Sequence, residues 1–532
     1  MSKISPWAAA LLVLPLGSAP AAVKPNSLFT DHMVLQQGQP VPVWGTADPG
    51  EKVSVAFGGQ AEASATAGAD GRWMAVLPPL AMSRTPAELV IRGENEIRIS
   101  DVLVGEVWIG SGQSNMQMPV AETWDAGRVA AEAAAGRFGL MRIYRVGWTA
   151  ADERVPDANS RWQAVTAPSA ASFSATLFYF GEALLEALPG TPIGLIASSV
   201  GGTNAHAWLP RPAYQADPAL APLRKWYEAQ VARLPELDPA YDQKLREHEE
   251  KLAAVRASGQ PIPKDLQRPP EPPMGPRSKR RPTSLYNGMI APLQPFAFQG
   301  VVWYQGENNA SLEWAGYYAD LMHALITGWR AEWAAAAGAA EARSFPFYVA
   351  QLPNYQTPLA WPLLREQQLA IPQKTPDTAL AVLLDCGDAQ NIHPANKTPA
   401  GRRLALLALA HTYRQRVDAD SPAVVDVAYA GGKAVVTFSE DGLRSADGQP
   451  LRHFEIAGTG GQFHPADAEI RGNQVRLSSS AVPEPAAVRY AWSNNPEAVN
   501  FVDASGLPAS PFRTDRLPWS APAASPSPVP QP

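Results

Sequence analysis

The chain has 532 residues, too many for one compact core, so two to four domains are expected. Its 46% hydrophobic and 18% charged residues exclude a disordered chain. A formal net charge of −6 gives no electrostatic reason to expect nucleic acid or an anionic membrane as partner.

Residues 1–21 read as an export signal. Lys3 supplies a short positive start, residues 7–16 are mostly apolar, and Ala19-Pro20-Ala21 places small residues at a cleavage site. The apolar run is shorter than the roughly 20 residues that span a bilayer, and Pro15, Gly17 and Pro20 break a helix there. The mature chain is therefore expected in the periplasm or outside the cell, with no membrane span.

Residues 24–100 carry β signals. Lys52-Val53-Ser54-Val55-Ala56-Phe57 alternates and is followed by Gly58-Gly59; Asp70-Gly71 precedes a second alternating run at 72–77. Further runs at 88–91 and 96–99 complete a small β-sandwich-like region.

The pattern changes at residue 101. Residues 102–110 form a nearly continuous apolar run, as in a strand buried on both faces of a parallel sheet. Similar runs occur at 192–198, 300–304, 346–350 and 378–384, separated by helical stretches such as 175–188 and 317–333. Alternating strands and helices imply an α/β domain over 101–415, with ligands at the carboxyl ends of the strands. An insert at 211–283 interrupts it. Asp238-Pro239 is the expected start of a helix with Tyr241, Leu245, Leu252 and Val255 on one face, and Gly259 its end. A proline-rich strap then runs to Pro282, and its Lys279-Arg280-Arg281 cluster reads as solvated surface. Strand signals return over 416–519, and 520–532 is a Pro/Ala/Ser tail. Cys386, the single cysteine, rules out an intrachain disulfide and reads as a small buried residue at a strand end.

Four motifs follow four of the apolar runs. Gly110-Ser111-Gly112-Gln113-Ser114-Asn115-Met116 puts Ser114 in a turn at the sheet edge, where a serine nucleophile belongs. It lacks the second glycine of a nucleophile elbow. Ser198-Ser199-Val200-Gly201-Gly202-Thr203-Asn204 offers close backbone approach to a substrate oxygen. Gln305, Asn308 and Asn309 after the third run are neutral donors suited to an oxyanion hole, and Glu307 lies among them. His393, one of eight histidines, follows the last run and precedes a helix at 400–412, within reach of a serine at a neighbouring strand end. Singly, each motif has a bland reading as a polar turn. Together they are the parts of an acyl-transfer site on one sheet edge.

These blocks resemble those of SGNH hydrolases. More narrowly, the chain resembles sialate O-acetylesterases and related bacterial carbohydrate acetylesterases. The resemblance rests on Phe29 with Asp31-His32-Met33-Val34-Leu35-Gln36, on Gly105-Glu106-Val107-Trp108 leading into Gly112-Gln113-Ser114-Asn115-Met116, on Trp303-Tyr304-Gln305-Gly306-Glu307, and on Ile392-His393-Pro394 with Lys397 and Gly401-Arg402-Arg403-Leu404-Ala405. It runs from about 25 to 515. It implies a flavodoxin-like, three-layer α/β/α parallel-sheet hydrolase core flanked by N- and C-terminal β-sandwich-like regions. It also implies Ser114 as nucleophile and His393 as base. The oxyanion hole would be Ser114, Gly202 and Asn308, with Gln305 or Asn309 as alternatives to Asn308. Gln113 and Glu307 would support the substrate site.

Relatives commonly carry an aspartate two residues before this histidine, where this chain has Asn391. Asp388 or Asp385 takes the third role, or the site is a Ser-His dyad. The implied activity is hydrolysis of acetyl esters on mono-, oligo- or polysaccharides, either sialate or a plant polysaccharide such as xylan or xyloglucan. The competing expectation is a secreted, non-catalytic carbohydrate-binding protein, to which 16 tryptophans lend little because most belong in cores. No Cys/His cluster has metal-ligand spacing, so no cofactor is expected.

Overall fold

A computed structural model describes residues 22–59, 61–338 and 344–518. The export signal expected at 1–21 and the tail at 520–532 lie outside the described residues.

The N-terminal region is β-structure. Strand Lys52–Phe57 buries alternate residues and pairs antiparallel with Ala61–Thr66 and Ser83–Arg92. Val41–Thr46 pairs with Arg72–Leu77 and Lys24–Pro25 in a separate three-stranded sheet.

The runs at 96–99 and 102–110 are one strand, Glu96–Gly112. Its first part pairs antiparallel with Ser83–Arg92, and its second part lies between Ile193–Ser199 and Gly300–Tyr304, parallel to both. Asp101, at φ 53°, bends the strand between the two parts. Its carboxylate is hydrogen-bonded to His32 Nδ1 (2.7 Å) and accepts from Arg142 (3.1 Å). These partners hold a non-glycine residue in the left-handed region. From Val102 onward the strand is continuously buried.

In the large sheet, Trp162–Ala164, Met141–Arg145, Ile193–Ser199, Glu96–Gly112, Gly300–Tyr304, Phe347–Ala350 and Thr378–Ala381 lie side by side in that order. All neighbours are parallel except the edge strand Trp162–Ala164, so the sheet is mixed. On one side the chain lays down Met141–Arg145 and Trp162–Ala164 first and then inserts Ile193–Ser199 beside Glu96–Gly112, after which it builds outward on the other side. That reversal puts a topological switch point at the carboxyl end of the central strand. Strand Thr378–Ala381 stops short of the apolar run, and Cys386 lies buried in the turn beyond it. Helix Ala175–Ala187 is capped by Ser174 Oγ, which accepts from the Leu177 N–H (3.2 Å). It packs against Thr398–Leu407, while Tyr318–Ala336 packs against Trp361–Lys374. Trp108, Trp208, Trp303, Trp329, Trp333 and Trp361 are fully buried, so they serve the core. Antiparallel strands between Val424 and Arg513 form the β-rich C-terminal region. Among the described residues, no helix is long and apolar enough to cross a membrane.

The insert departs from expectation at two points. Its long helix is Leu234–Ser258, with Pro235 in the first turn and Pro239 inside, so Asp238 does not cap it. This helix buries none of its residues. The carbonyl that Pro239 leaves without a helical donor can therefore be hydrated. Gly259, left-handed at φ 69°, ends it as expected. The basic cluster is not solvated surface. Arg281 is buried and paired with Asp152 (2.7 Å), Lys279 pairs with Glu271 (2.9 Å), and the Arg280 carbonyl is bonded to His206 Nε2 (2.9 Å). The cluster fastens the strap.

Candidate active site

The first motif ends the central strand. Gly112 has φ 134°, and a Cβ there would lie 2.2 Å from the Tyr304 carbonyl oxygen, so only glycine fits. The chain then turns into the short helix Ser114–Gln117. Thr176 Oγ1 donates to the Asn115 carbonyl (2.9 Å) and Ser174 Oγ to the Met116 carbonyl (2.5 Å), fixing that turn from below.

Ser114 and His393 line the same cleft, of about 600 Å³. Its walls include Gln117, Pro119, Glu122, Arg145 and Arg268. No hydrogen bond between the serine hydroxyl and the imidazole is present, a separation common before substrate binds. Burial, with the charges of Lys397 and Arg268, holds His393 below the ordinary imidazole range, and Glu122 opposes them. Its neutral form is the form a general base needs.

Gly201, rather than Gly202, lies against Ser114. A Cβ on Gly201 would sit 3.3 Å from Ser114 Cβ, and the Gly201 N–H donates to Gln117 Oε1 (2.7 Å). Gly202 is left-handed at φ 70°, and a Cβ on it would meet open space. Asn308 Nδ2 donates to the Gly202 carbonyl (2.9 Å), joining two of the candidate oxyanion donors. The other two candidates are deeply buried. Gln305 Nε2 donates to Gln113 Oε1, the Thr203 carbonyl and Asn309 Oδ1, while its own Oε1 accepts from Tyr318 (2.8 Å). Asn309 Oδ1 also accepts from the Ala205 N–H (2.9 Å), and Asn309 lines a different cavity, with His206 and Trp314. Only Asn308 is partly exposed. Gln113 is buried and does not reach the cleft. Its Oε1 accepts from Gln305 and from the Asn308 N–H (3.3 Å), so it holds the third motif in place.

Neither third-member candidate meets the imidazole. Asp388 Oδ1 accepts from the N–H groups of Gln390 and Asn391 (2.8 and 3.2 Å). Asn391 Oδ1 accepts from the backbone N–H of His393 (2.9 Å). Asp385 is held by Arg403 (2.6 and 2.7 Å), which keeps its carboxyl low. Among the described residues, no side chain hydrogen-bonds the His393 ring. Glu307 is buried, and burial raises its carboxyl; Oε1 accepts from Asn115 Nδ2 (2.5 Å) and Oε2 has no partner. Cys386 is inert, because burial pushes its thiol up to about 12.

Sequence reasoning missed Glu122, Arg145 and Arg268 as lining residues. Arg145 ends strand Met141–Arg145, whose Arg142 and Arg145 break the continuous apolar run by which the other core strands are recognised, and Arg268 comes from the proline-rich strap, which reads as a linker.

The family profile described as carbohydrate esterase, sialic acid-specific acetylesterase matches residues 104–242 and 273–411, and Arg268 lies in the break between them. The sialate O-acetylesterase of Rattus norvegicus is 30% identical over 528 residues, covering 91% of this chain and 93% of that one. The Homo sapiens enzyme of the same name is 28% identical, covering 94% and 95%. The crystal structure of a carbohydrate acetylesterase from Xanthomonas citri is similar with a TM-score of 0.76 and 33% identity, covering 93% of this chain and 100% of that one. The match spans both halves of the cleft and nearly the whole length of these relatives: this chain belongs to the sialic acid-specific acetylesterase family of carbohydrate esterases.

Proposed function

We propose that this chain removes acetyl groups from the hydroxyls of a sugar through an acetyl-serine intermediate. The observation that carries the reading is that Ser114 and His393, 279 positions apart in sequence, line one cleft at the switch point of the sheet. His393 takes the proton as Ser114 Oγ attacks the acetyl carbonyl carbon. The resulting oxyanion faces the N–H groups of Ser114 and Gly202 and the Asn308 amide. Collapse breaks the ester bond, and His393 returns the proton to the departing sugar oxygen. Water, deprotonated by His393, then attacks the acetyl-serine and releases acetate. The site works as a Ser-His dyad on the SGNH-type three-layer core. Export follows from the sequence of residues 1–21.

Acetylated sialate is the favoured substrate over neutral plant polysaccharide. Arg145 and Arg268 both line the cleft, and a guanidinium suits a sugar carboxylate. Acetate release from acetylated sialate, xylan and xyloglucan oligosaccharides tests the substrate. Hydrolysis of a chromogenic acetate ester by wild type and Ser114→Ala tests the chemistry: equal rates would leave only a carbohydrate-binding protein.

A further inference from the structure

We infer that Lys397 and Asn115 are positioning residues for His393, clamping the backbone on both sides of the base and tying it to the turn that carries the nucleophile. The inference rests on the esterase reading of Ser114 and His393.

The clamp is a set of short contacts. Asn115 Nδ2 donates to the carbonyl of Ile392 (3.0 Å), the residue before His393. Lys397 Nζ donates to the carbonyl of Pro394 (2.6 Å), the residue after it. Lys397 Nζ also donates to Asn115 Oδ1 (2.7 Å), closing the bridge. Asn115 follows Ser114 directly, so one side chain connects nucleophile and base. Its amide is anchored in turn on Glu307 of the third motif. Asn115, Glu307 and Lys397 are 1%, 4% and 1% exposed, so no solvent screens or replaces these bonds.

A buried ammonium is costly unless its surroundings accept its protons. Lys397 has two carbonyl acceptors and a tyrosine face, that of Tyr304, at 6.0 Å. A residue serving only the packing of this loop would not need a charge. In a Ser-His-Asp site, the aspartate orients the imidazole. Here the ring has no such partner, and the orientation is imposed through the carbonyls of Ile392 and Pro394.

The charge has a second effect. Lys397 and Arg268 face His393 as cations and Glu122 faces it as an anion; Lys397 itself is faced by Glu307 and Cys386. Burial lowers Lys397 to about 7 against the pull of Glu307. It therefore carries its proton in the acid range where His393 titrates, and helps keep the imidazole neutral.

The test measures kcat and KM across pH on a chromogenic acetate ester. The enzymes are the wild-type chain, Lys397→Met, Lys397→Arg, Asn115→Ala and Ser114→Ala. Lys397→Met should lose kcat roughly tenfold or more with KM within about twofold, and its acid limb should move up by about one pH unit. Lys397→Arg should keep the limb in place, because the charge stays. Asn115→Ala should lose kcat with the limb unmoved. A Lys397→Met enzyme with wild-type kcat and an unmoved limb overturns the inference. Should that variant fail to fold, wild-type kcat in Asn115→Ala overturns it instead. Wild-type hydrolysis by Ser114→Ala would sink the esterase reading itself.

Discussion

Gly201 packs on Ser114 so closely that an added Cβ would lie 3.3 Å from the serine Cβ and 3.1 Å from Gln117 Oε1. Its backbone lies outside the left-handed region, so alanine is allowed by conformation and opposed by space. Gly201→Ala should therefore fold and displace the nucleophile by a few tenths of an ångström, lowering kcat/KM about tenfold. Gly202→Ala acts differently: its φ of 70° makes alanine strained, costing about 1 kcal/mol of stability. Thermal unfolding and kinetics on both variants separate the two effects.

Asn391→Asp should change turnover by less than about threefold. The side-chain oxygen of Asn391 already caps the His393 N–H, and an aspartate would keep that bond without turning to the ring. A large gain in kcat would show that the loop rearranges to form a carboxylate-supported triad.

The acid limb of kcat/KM should lie below the ordinary imidazole range near 6.5. His393 is held low, and a base works above its own pKa, so activity persists as pH falls through the range where a free histidine would be protonated. Removing the opposing carboxylate in Glu122→Gln should push the limb lower still. A pH profile of both enzymes is the check.

His206 links stability to pH. Burial lowers it to about 4, whereas an unfolded imidazole titrates near 6.5. Between these values the unfolded chain binds the extra proton. Stability should therefore fall by about 3 kcal/mol as pH drops from about 6.5 to about 4 and level off below. His206 also holds the strap at the Arg280 carbonyl, so the loss should loosen the insert. His206→Gln, which can keep a donor there, should flatten this part of the profile in denaturant titrations.

Arg268→Ala should raise KM for acetylated sialate about tenfold and leave a neutral acetate ester nearly unchanged, because an exposed guanidinium in the cleft acts on substrate charge. Equal KM changes on both substrates would remove Arg268 from substrate selection.

The motifs were legible because each follows a strand whose continuous apolar run marks burial on both faces. That rule puts the four motifs on one sheet edge, and the family resemblance picks out Ser114, Gly202, Asn308 and His393 within them. Gln305 and Asn309 carry the same donors as Asn308, and nothing in a linear motif says which amide turns inward. Packing against Tyr318 and Gln368 buries Gln305. The break at residue 100 is read from the change to a continuous apolar run at 102–110, but one strand, Glu96–Gly112, carries both patterns through Asp101, whose ion partners, His32 and Arg142, come from other segments.

By itself the sequence determined the strand-helix alternation, the residue types able to transfer an acyl group and the order in which they occur, since these follow from local apolar periodicity and side-chain chemistry. Tertiary structure alone decided what supports the base. Asn115, Glu307 and Lys397 are separated by up to 282 positions and become one buried bridge only when three strand ends meet. Burial then gives each hydrogen bond a weight that no spacing in the chain reveals.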